Sequence, residues 1–594
     1  LSPAASESPT VPIAQAPPEG IPDRTPPENL VPRDLPPSEQ PLPLPEPEPL
    51  PPLEELLEPT APLEPLQPGG EPEAAPQTIF VERFEVVDST VFNADVLAEV
   101  AKKAPQFMAE ECSEIPNIQT IDGTDVLVNR ELTFAELQQA RTAITRVYIC
   151  EGFITSGAIV PPQEPEDNVV RLQVIEGSLE DIEVLGTQRL NPGYVESRLA
   201  LVTTPPLNQQ RLLEGLQLLQ LDPLIRRITA ELQAGPRPST NILEVTVAEA
   251  DPFSVDFIAN NNSSPSIGSF SRGVQLNHLN VWGLGDGLSM AYSNTDGSNE
   301  VDVSYVIPLN PRNGTLQLSY GNTNSWVIEP PFDILDIQSE SSYYEATYRQ
   351  PLYQSPTEEF ALALTFSRQE SQTRIGFADI GPFPISPGAD ENGRTEISAI
   401  RFTQEWFKRS GQQVLAARSQ FSLGVDWFGA TTNPVGPDGQ FFAWRGQAQW
   451  VRLLREDTPL ILRADVQLTP NPLLPLEQFG LGGQDTIRGY RQDALLTDSG
   501  VLASAEVRLP ILQVADVQGI LQLTPFIDIG AGWNVASKTP DPNVLAGTGL
   551  GLLWRQGNDL TVRLDWGIPL IANNTRRQTW QESGVYFSVV FNTF

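Results

Sequence analysis

Nowhere do the 594 residues approach the roughly 18 consecutive apolar residues that a membrane-spanning helix needs, which argues against a helical membrane protein. That absence leaves open a barrel crossing with strands. Basic charge is scarce: 37 Lys and Arg against 75 Asp and Glu leave a net charge of -38 and a pI near 4.3. Such a chain has no surface built to neutralise phosphates, so nucleic acid is not expected as a partner. The single histidine, His278, lies far from both cysteines, Cys112 and Cys150, so they have no partners for a zinc site and no metal is expected. The cysteines share one predicted globular segment and suit either a single disulfide of an oxidising periplasm or two buried thiols; composition leaves both open. The opening LSPAASESPT has neither a basic start nor an apolar core, the pattern left when an export signal has been removed or was not included.

A chain this long exceeds one core, and its composition divides it. Residues 1–77 are dominated by proline and glutamate, as in PLPLPEPEPLPPLEELLEP, too poor in apolar surface to fold, and read as a disordered acidic linker favouring polyproline II. Within it LEELLE, 53–58, could form about one helical turn between prolines, as part of a solvated linker or as a recognition motif.

From Thr78 the pattern changes. TIFVERFEVV reads as a strand, 94–104 and 134–151 as helices around an irregular cysteine-containing insertion, and 156–160 and 169–174 as strands. The same order returns more compactly: LEDIEVLG, helices near 192–199 and 208–221, then IRRITAELQAG and NILEVTVAEA. Two tandem α+β modules, 78–178 and 179–250, are the economical reading.

From 251 to 594 helical periodicity gives way to short alternating segments separated by Gly, Asn and Asp turns. Val301, Val303, Tyr305 and Ile307 alternate with Asp302 and Ser304; Leu560, Val562, Leu564 and Trp566 with Thr561, Arg563 and Asp565; Ala503 and Ala505 with Ser504 and Glu506. A soluble sandwich would turn the charged set to water, and a membrane barrel would turn it to the lumen, so alternation alone does not choose. About sixteen such segments in roughly 345 residues suit an antiparallel membrane barrel. Trp282, Trp326, Trp406, Trp427, Trp444, Trp450 and Trp533 suit a membrane interface.

Two motifs carry a specific resemblance. FGLGGQDTIRGYRQD, 479–493, lies in a long connection between strands, and its Ile487-Arg488-Gly489-Tyr490 resembles the VRGY-type motif on the inward-folding loop of barrels with periplasmic POTRA domains. FIDIG, Phe526 to Gly530, resembles their F-x-D-x-G motif on a lumen-facing strand; by the period of two Phe526, Asp528 and Gly530 share one face. With two modules ahead of the barrel, the chain resembles the two-partner secretion transporters of the ShlB, FhaC and HecB haemolysin secretion/activation family. The resemblance implies that Arg488 pairs with Asp528 to hold the loop inside the barrel. It also implies that the partner is a secreted exoprotein threaded in extended form, that the barrel lies in the outer membrane with its modules in the periplasm, and that the terminal aromatic Phe594 is read by the barrel-assembly machinery. Outer-membrane lipid and periplasmic chaperones are the other expected partners. Members often begin with a plug helix; this chain begins with the proline-rich arm, so the plug is not carried over, and what fills the pore at rest stays open. The alternative within the superfamily is a factor that inserts other barrels, which usually carries more POTRA modules.

No enzyme and no cofactor are expected. GLGDG, 283–287, and GTGLG, 547–551, fall between or within strand patterns and read as turns and bulges, not as phosphate loops. Cargo would be captured by strand addition to a sheet edge, with 156–160 and 228–234 as candidates.

Overall fold

The computed structural model describes residues 30–33, 35–43, 50, 52, 56–57, 78–109, 111–163, 166–237, 240–572 and 578–593. The first module runs β1 (Thr78–Val87), α1 (Ala94–Lys102), β2 (Leu127–Thr133), α2 (Phe134–Cys150), β3 (Gly157–Ile159) and β4 (Val169–Ile175), with sheet order β2-β1-β4-β3. α2 starts where Thr133 and Glu136 form a reciprocal capping box, and it buries Leu137, Ala140, Ile144, Val147 and Tyr148, a stripe at helical spacing that faces the sheet. β2 was not anticipated. Its sequence, LVNRELT, buries only Leu132, so a strand paired antiparallel to β1 at the sheet edge shows almost no apolar signal.

The second module repeats the core of the first: β5 (Ser178–Leu185), α3 (Pro192–Leu199), α4 (Gln209–Gln220), β6 (Ile225–Ala234) and β7 (Thr240–Glu249), in the order β5-β7-β6. In both modules the first and last strands pair in parallel and the penultimate strand lies antiparallel at one edge. Asn191 and Asn208 cap the two helices by accepting backbone N–H bonds from Gly193 and from Gln210 and Arg211.

Sixteen antiparallel strands then close into a barrel, the last, Val585–Asn592, pairing with the first, Phe253–Asn260. Ser499–Val507 and Leu509–Val514 are one wall strand broken at Arg508, both parts pairing with Gly519–Trp533. Closure leaves no sheet edge for lipid to meet. Turns at the module end are short, as at 411–412 and 456–457, and the loops at the other end are longer.

Side-chain directions distinguish a membrane barrel from a soluble one. Along Gly519–Trp533, Phe526 and Asp528 face inward at 5% and 0% exposure, while Ile527 and Ile529 face outward at 54% and 52%. Leu564 and Trp566 likewise point out while Asp565 is fully buried. A soluble barrel would hide the apolar set; here it forms the outer belt and the charged set lines the interior. The second module docks on the short-turn end, where Asn191 N donates to Gly283 O at 2.8 Å and Arg198 Nε to Asn313 Oδ1 at 3.0 Å.

Candidate functional site in the barrel lumen

The connection from Thr469 to Asp498 folds back inside the barrel instead of extending from it. A short hairpin of Phe479–Leu481 with Leu495–Thr497 narrows it, and Phe479, Leu481, Ile487, Tyr490 and Leu495 pack with Leu502 and Leu545 of the wall. This apolar patch brings the tip, Arg488, to the strand that carries Asp528.

Arg488 is wholly buried. Its Nε donates to Asp528 Oδ2 at 2.8 Å and its second terminal nitrogen to Asp528 Oδ1 at 2.9 Å, a bidentate pair. The remaining nitrogen donates to Glu506 Oε2 at 2.7 Å, and the guanidinium lies 3.4 Å from the centre of the Phe526 ring. Asp528 also accepts from Ser504 Oγ at 2.7 Å and from the Arg488 backbone N–H at 3.2 Å. Glu506 bonds in turn to Arg563 at 2.6 Å and Arg508 at 3.2 Å. The result is a network in which every named charge has an opposite neighbour.

Register explains how the loop comes so close. Asp528 stands opposite Ser504 on one side and Gly547 on the other. A Cβ on Gly547 would sit 2.0 Å from the Arg488 carbonyl oxygen, so the bare backbone there is what admits the loop tip. GTGLG is therefore a clearance within the strand Val544–Gln556 and not the turn or bulge expected for it, whereas GLGDG does hold a turn, with Gly283 and Gly285 at positive φ. Gly530 serves the loop in the same way: a Cβ there would lie 2.8 Å from Ile487 Cδ1.

The rest of the loop motif is held by its own contacts. Gly489, at φ +107, donates its N–H to the Tyr586 hydroxyl at 2.8 Å, which donates to Tyr490 O at 2.5 Å. The Tyr490 hydroxyl, with one proton to donate, lies 2.9 Å from the carbonyl oxygens of both Ala546 and Ile571. Arg491 pairs with Glu329 at 2.8 Å and Glu582 at 3.3 Å, tying the loop across the barrel.

A second buried cluster lies on other strands. Arg401, fully buried, pairs with Glu477 of the inward loop at 2.8 Å and with Glu39 of the N-terminal arm at 2.6 Å. Glu39 also pairs with Arg445 at 3.4 Å, which holds Asp465 at 2.8 Å. Arg33 pairs with Asp493 at 3.1 Å, and Ser38 bonds to Glu345. The described residues 33–42 thus lie in the lumen, not in solvent as a spacer. Apart from one 3-10 turn at Pro37–Glu39, closed by Glu39 N donating to Pro36 O at 2.8 Å, the segment's carbonyls accept from the wall: Glu39 O from Arg445, Gln40 O from Arg418 and Leu42 O from Gln449. A cavity of about 280 Å³ bounded by Pro41, Leu42, Arg445, Asp465, Thr486 and Arg563 remains between arm, loop and wall, room for about nine waters at ~30 Å³ each.

The structure brings Arg488, Gly489, Tyr490, Phe526, Asp528 and Gly530 into one site. Cys112 and Cys150 form a disulfide in the first module, closing the insertion onto the end of α2. Phe594 lies outside the described residues. Reading the sequence overlooked several participants, Glu506, Tyr586 and Glu39 among them. Glu506 was assigned to the polar face of its strand, which was its signal, but not to the loop; Tyr586 and Glu39 carried none.

The family model described as haemolysin secretion/activation protein ShlB/FhaC/HecB matches residues 240–553, and the POTRA domain of ShlB type matches 109–177. The chain belongs to that family. It is 20% identical over 401 residues to the outer membrane transporter CdiB of Dickeya dadantii, covering 65% of this chain and 69% of that one. It is 20% identical over 479 residues to the heme/hemopexin transporter protein HuxB of Haemophilus influenzae, covering 76% and 81%. The solved structure of CdiB from Escherichia coli superposes with a TM-score of 0.62 at 18% identity over 90% of this chain and 94% of that one, a likeness of fold. Membership in this family, with its transporters, puts the barrel in the outer membrane and the modules in the periplasm.

Proposed function

We propose that this protein secretes an unfolded partner exoprotein through the lumen of its barrel, and that the inward loop is a latch held by Arg488 and Asp528. The observation that carries the reading is a polar lumen filled by a segment whose tip is held by a buried bidentate contact. Such a pair adds little net stability against an apolar alternative, while removing one partner is costly, so it acts by holding a position. Cargo is captured in extended form at an edge of the periplasmic sheets, β3 or β6, by main-chain pairing. It then threads the lumen as loop and arm shift, and folding outside gives direction without ATP. No bond-making step is needed.

The outer belt contacts outer-membrane lipid; periplasmic chaperones and the barrel-assembly machinery deliver the barrel, with Phe594 as its signal. The family match favours secretion over insertion of other barrels. Depletion of the protein therefore leaves other outer-membrane barrels at normal levels.

Secretion of the partner tests the latch. Arg488→Ala and Asp528→Ala each reduce partner released to the medium while the barrel still inserts, and Arg488→Asp combined with Asp528→Arg partly restores release. Full secretion by both single variants would remove the latch assignment. In planar bilayers the full chain gives discrete, fluctuating conductance steps; a protein with native β-structure and no bilayer activity would overturn the transporter reading.

A further inference from the structure

One segment singled out in the sequence has no role in the latch: the leucines of LEELLE. Leu56 and Leu57, the residues of that motif among those described, lie against the second module. Leu57 forms a parallel bridge with Ala230 in β6, and Ala230 N donates to Leu56 O at 2.9 Å. Leu56 is 2% exposed and joins the module's own core, with Leu212, Leu216, Ile228 and Leu232.

β6 is the edge of its sheet, and the outward backbone groups of Arg226, Ile228 and Ala230 are each taken by a group of this chain. Near the start of the strand the Gln220 side chain accepts from Ile228 N at 2.9 Å and donates to Arg226 O at 2.9 Å. The next outward N–H, two residues on, is that of Ala230, and the arm takes it. Edge strands left bare invite pairing with another chain; between Arg226 and Ala230 this one is covered by the protein itself.

We infer that β6 and the cleft beside it form a recognition site for an extended, leucine-bearing strand, and that the arm occupies this site as an intramolecular competitor of cargo. The competition rests on the reading that cargo is captured at β6. Main-chain pairing supplies affinity, the buried Leu56 side chain supplies selectivity, and the tether holds the arm at an effective concentration on the order of millimolar. An incoming segment must therefore outcompete a local occupant. The described residues 35–42 of the same arm are anchored in the lumen through Glu39, so displacement at β6 removes one of the attachments seen among the arm's described residues.

The test uses the full chain in detergent micelles and, as probe, a fluorescein-labelled peptide of residues 50–60, LPPLEELLEPT. Hydrogen exchange at the Ala230 amide is slow in the unaltered chain, rises about ten-fold or more in Leu56→Asp and by less in Leu56→Ala. The peptide binds the Leu56→Asp chain about ten-fold or more tighter than the unaltered chain and restores Ala230 protection. Equal protection in all three chains, or a gain in exchange that the peptide does not reverse, would overturn the site. Leu56→Ala inserts no charge into the core and keeps the result readable if Leu56→Asp unfolds the module. Secretion by Ala230→Pro, which lacks the donating N–H, tests the cargo reading separately. Unaltered secretion would overturn capture at β6, and with it the competition, while the peptide results alone decide the arm's site.

Discussion

The two halves of the molecule bury opposite things. In the modules Leu97, Ile144, Leu216 and Val245 are fully enclosed and the ion pairs, such as Arg171 with Glu85, stand at the surface. In the barrel Arg401, Arg488 and Asp528 are fully enclosed, and Ile527, Leu550 and Trp566 are more than half exposed on the outer face. Water surrounds the modules and lipid the barrel, so the same alternation of apolar and polar residues is turned inside out. The modules are held by apolar area removed from water, the barrel interior by charges that satisfy one another.

The comparison is broken most severely at Glu506, which joins Arg488, Arg508 and Arg563. Glu506→Ala leaves three cations, two of them buried, short of a partner and costs about 3–5 kcal/mol, read as a lower urea midpoint of the barrel in detergent. Loss of the Arg171–Glu85 pair on the first module, whose side chains are 59% and 42% exposed, changes stability by about 1 kcal/mol or less. An unchanged urea midpoint in Glu506→Ala would mean that the lumen network does not hold the barrel.

A matched truncation sharpens the contrast next. Leu216→Ala in the second module's core costs about 2–5 kcal/mol, seen as faster exchange throughout β6 and β7. Ile527→Ala on the lipid face costs well under that, about 1 kcal/mol, because lipid chains fill the space and no packed neighbour is lost. Equal costs at the two positions would contradict the inverted burial.

The smallest effect belongs to Glu176, between the modules. Burial raises its pKa, but hydrogen bonds from the Thr90 hydroxyl and N–H, the Tyr148 hydroxyl and the Val91 N–H outweigh it and hold the carboxyl below its ordinary value of 4.5. A depressed folded pKa stabilises fully above the ordinary carboxylate range, and that stability is lost as pH falls through the folded value. Glu176→Gln therefore costs about 1 kcal/mol or less at pH 7, read as faster exchange of the Thr90 and Val91 amides, and the difference from the unaltered protein narrows on acidification. A difference independent of pH would assign the effect to shape instead of charge.

Most of the architecture was legible in the sequence because it rests on local periodicity. Helices α2 and α4 announce themselves by apolar spacing, and the barrel strands by a period of two; β2 escaped because an edge strand with one buried residue has almost no period to show. The loop motif and the F-x-D-x-G motif were legible as patterns, and Asp528 was assigned to the lumen face by counting along its strand. Gly547 was misread because a glycine cleared for a distant loop and a glycine in a turn are identical in sequence.

By itself, then, the sequence determined the alternating faces, the two-module order and the residues available for the latch, since each depends on neighbours within a few positions. Only the tertiary structure decided that Glu506 and Tyr586 meet the loop tip, that Glu39 reaches Arg401 across hundreds of residues, and that Leu56 lies on β6. Those contacts join segments whose separation no periodicity encodes. They exist because a closed barrel and a folded sheet bring one wall within reach of whatever enters the lumen or lies along the edge.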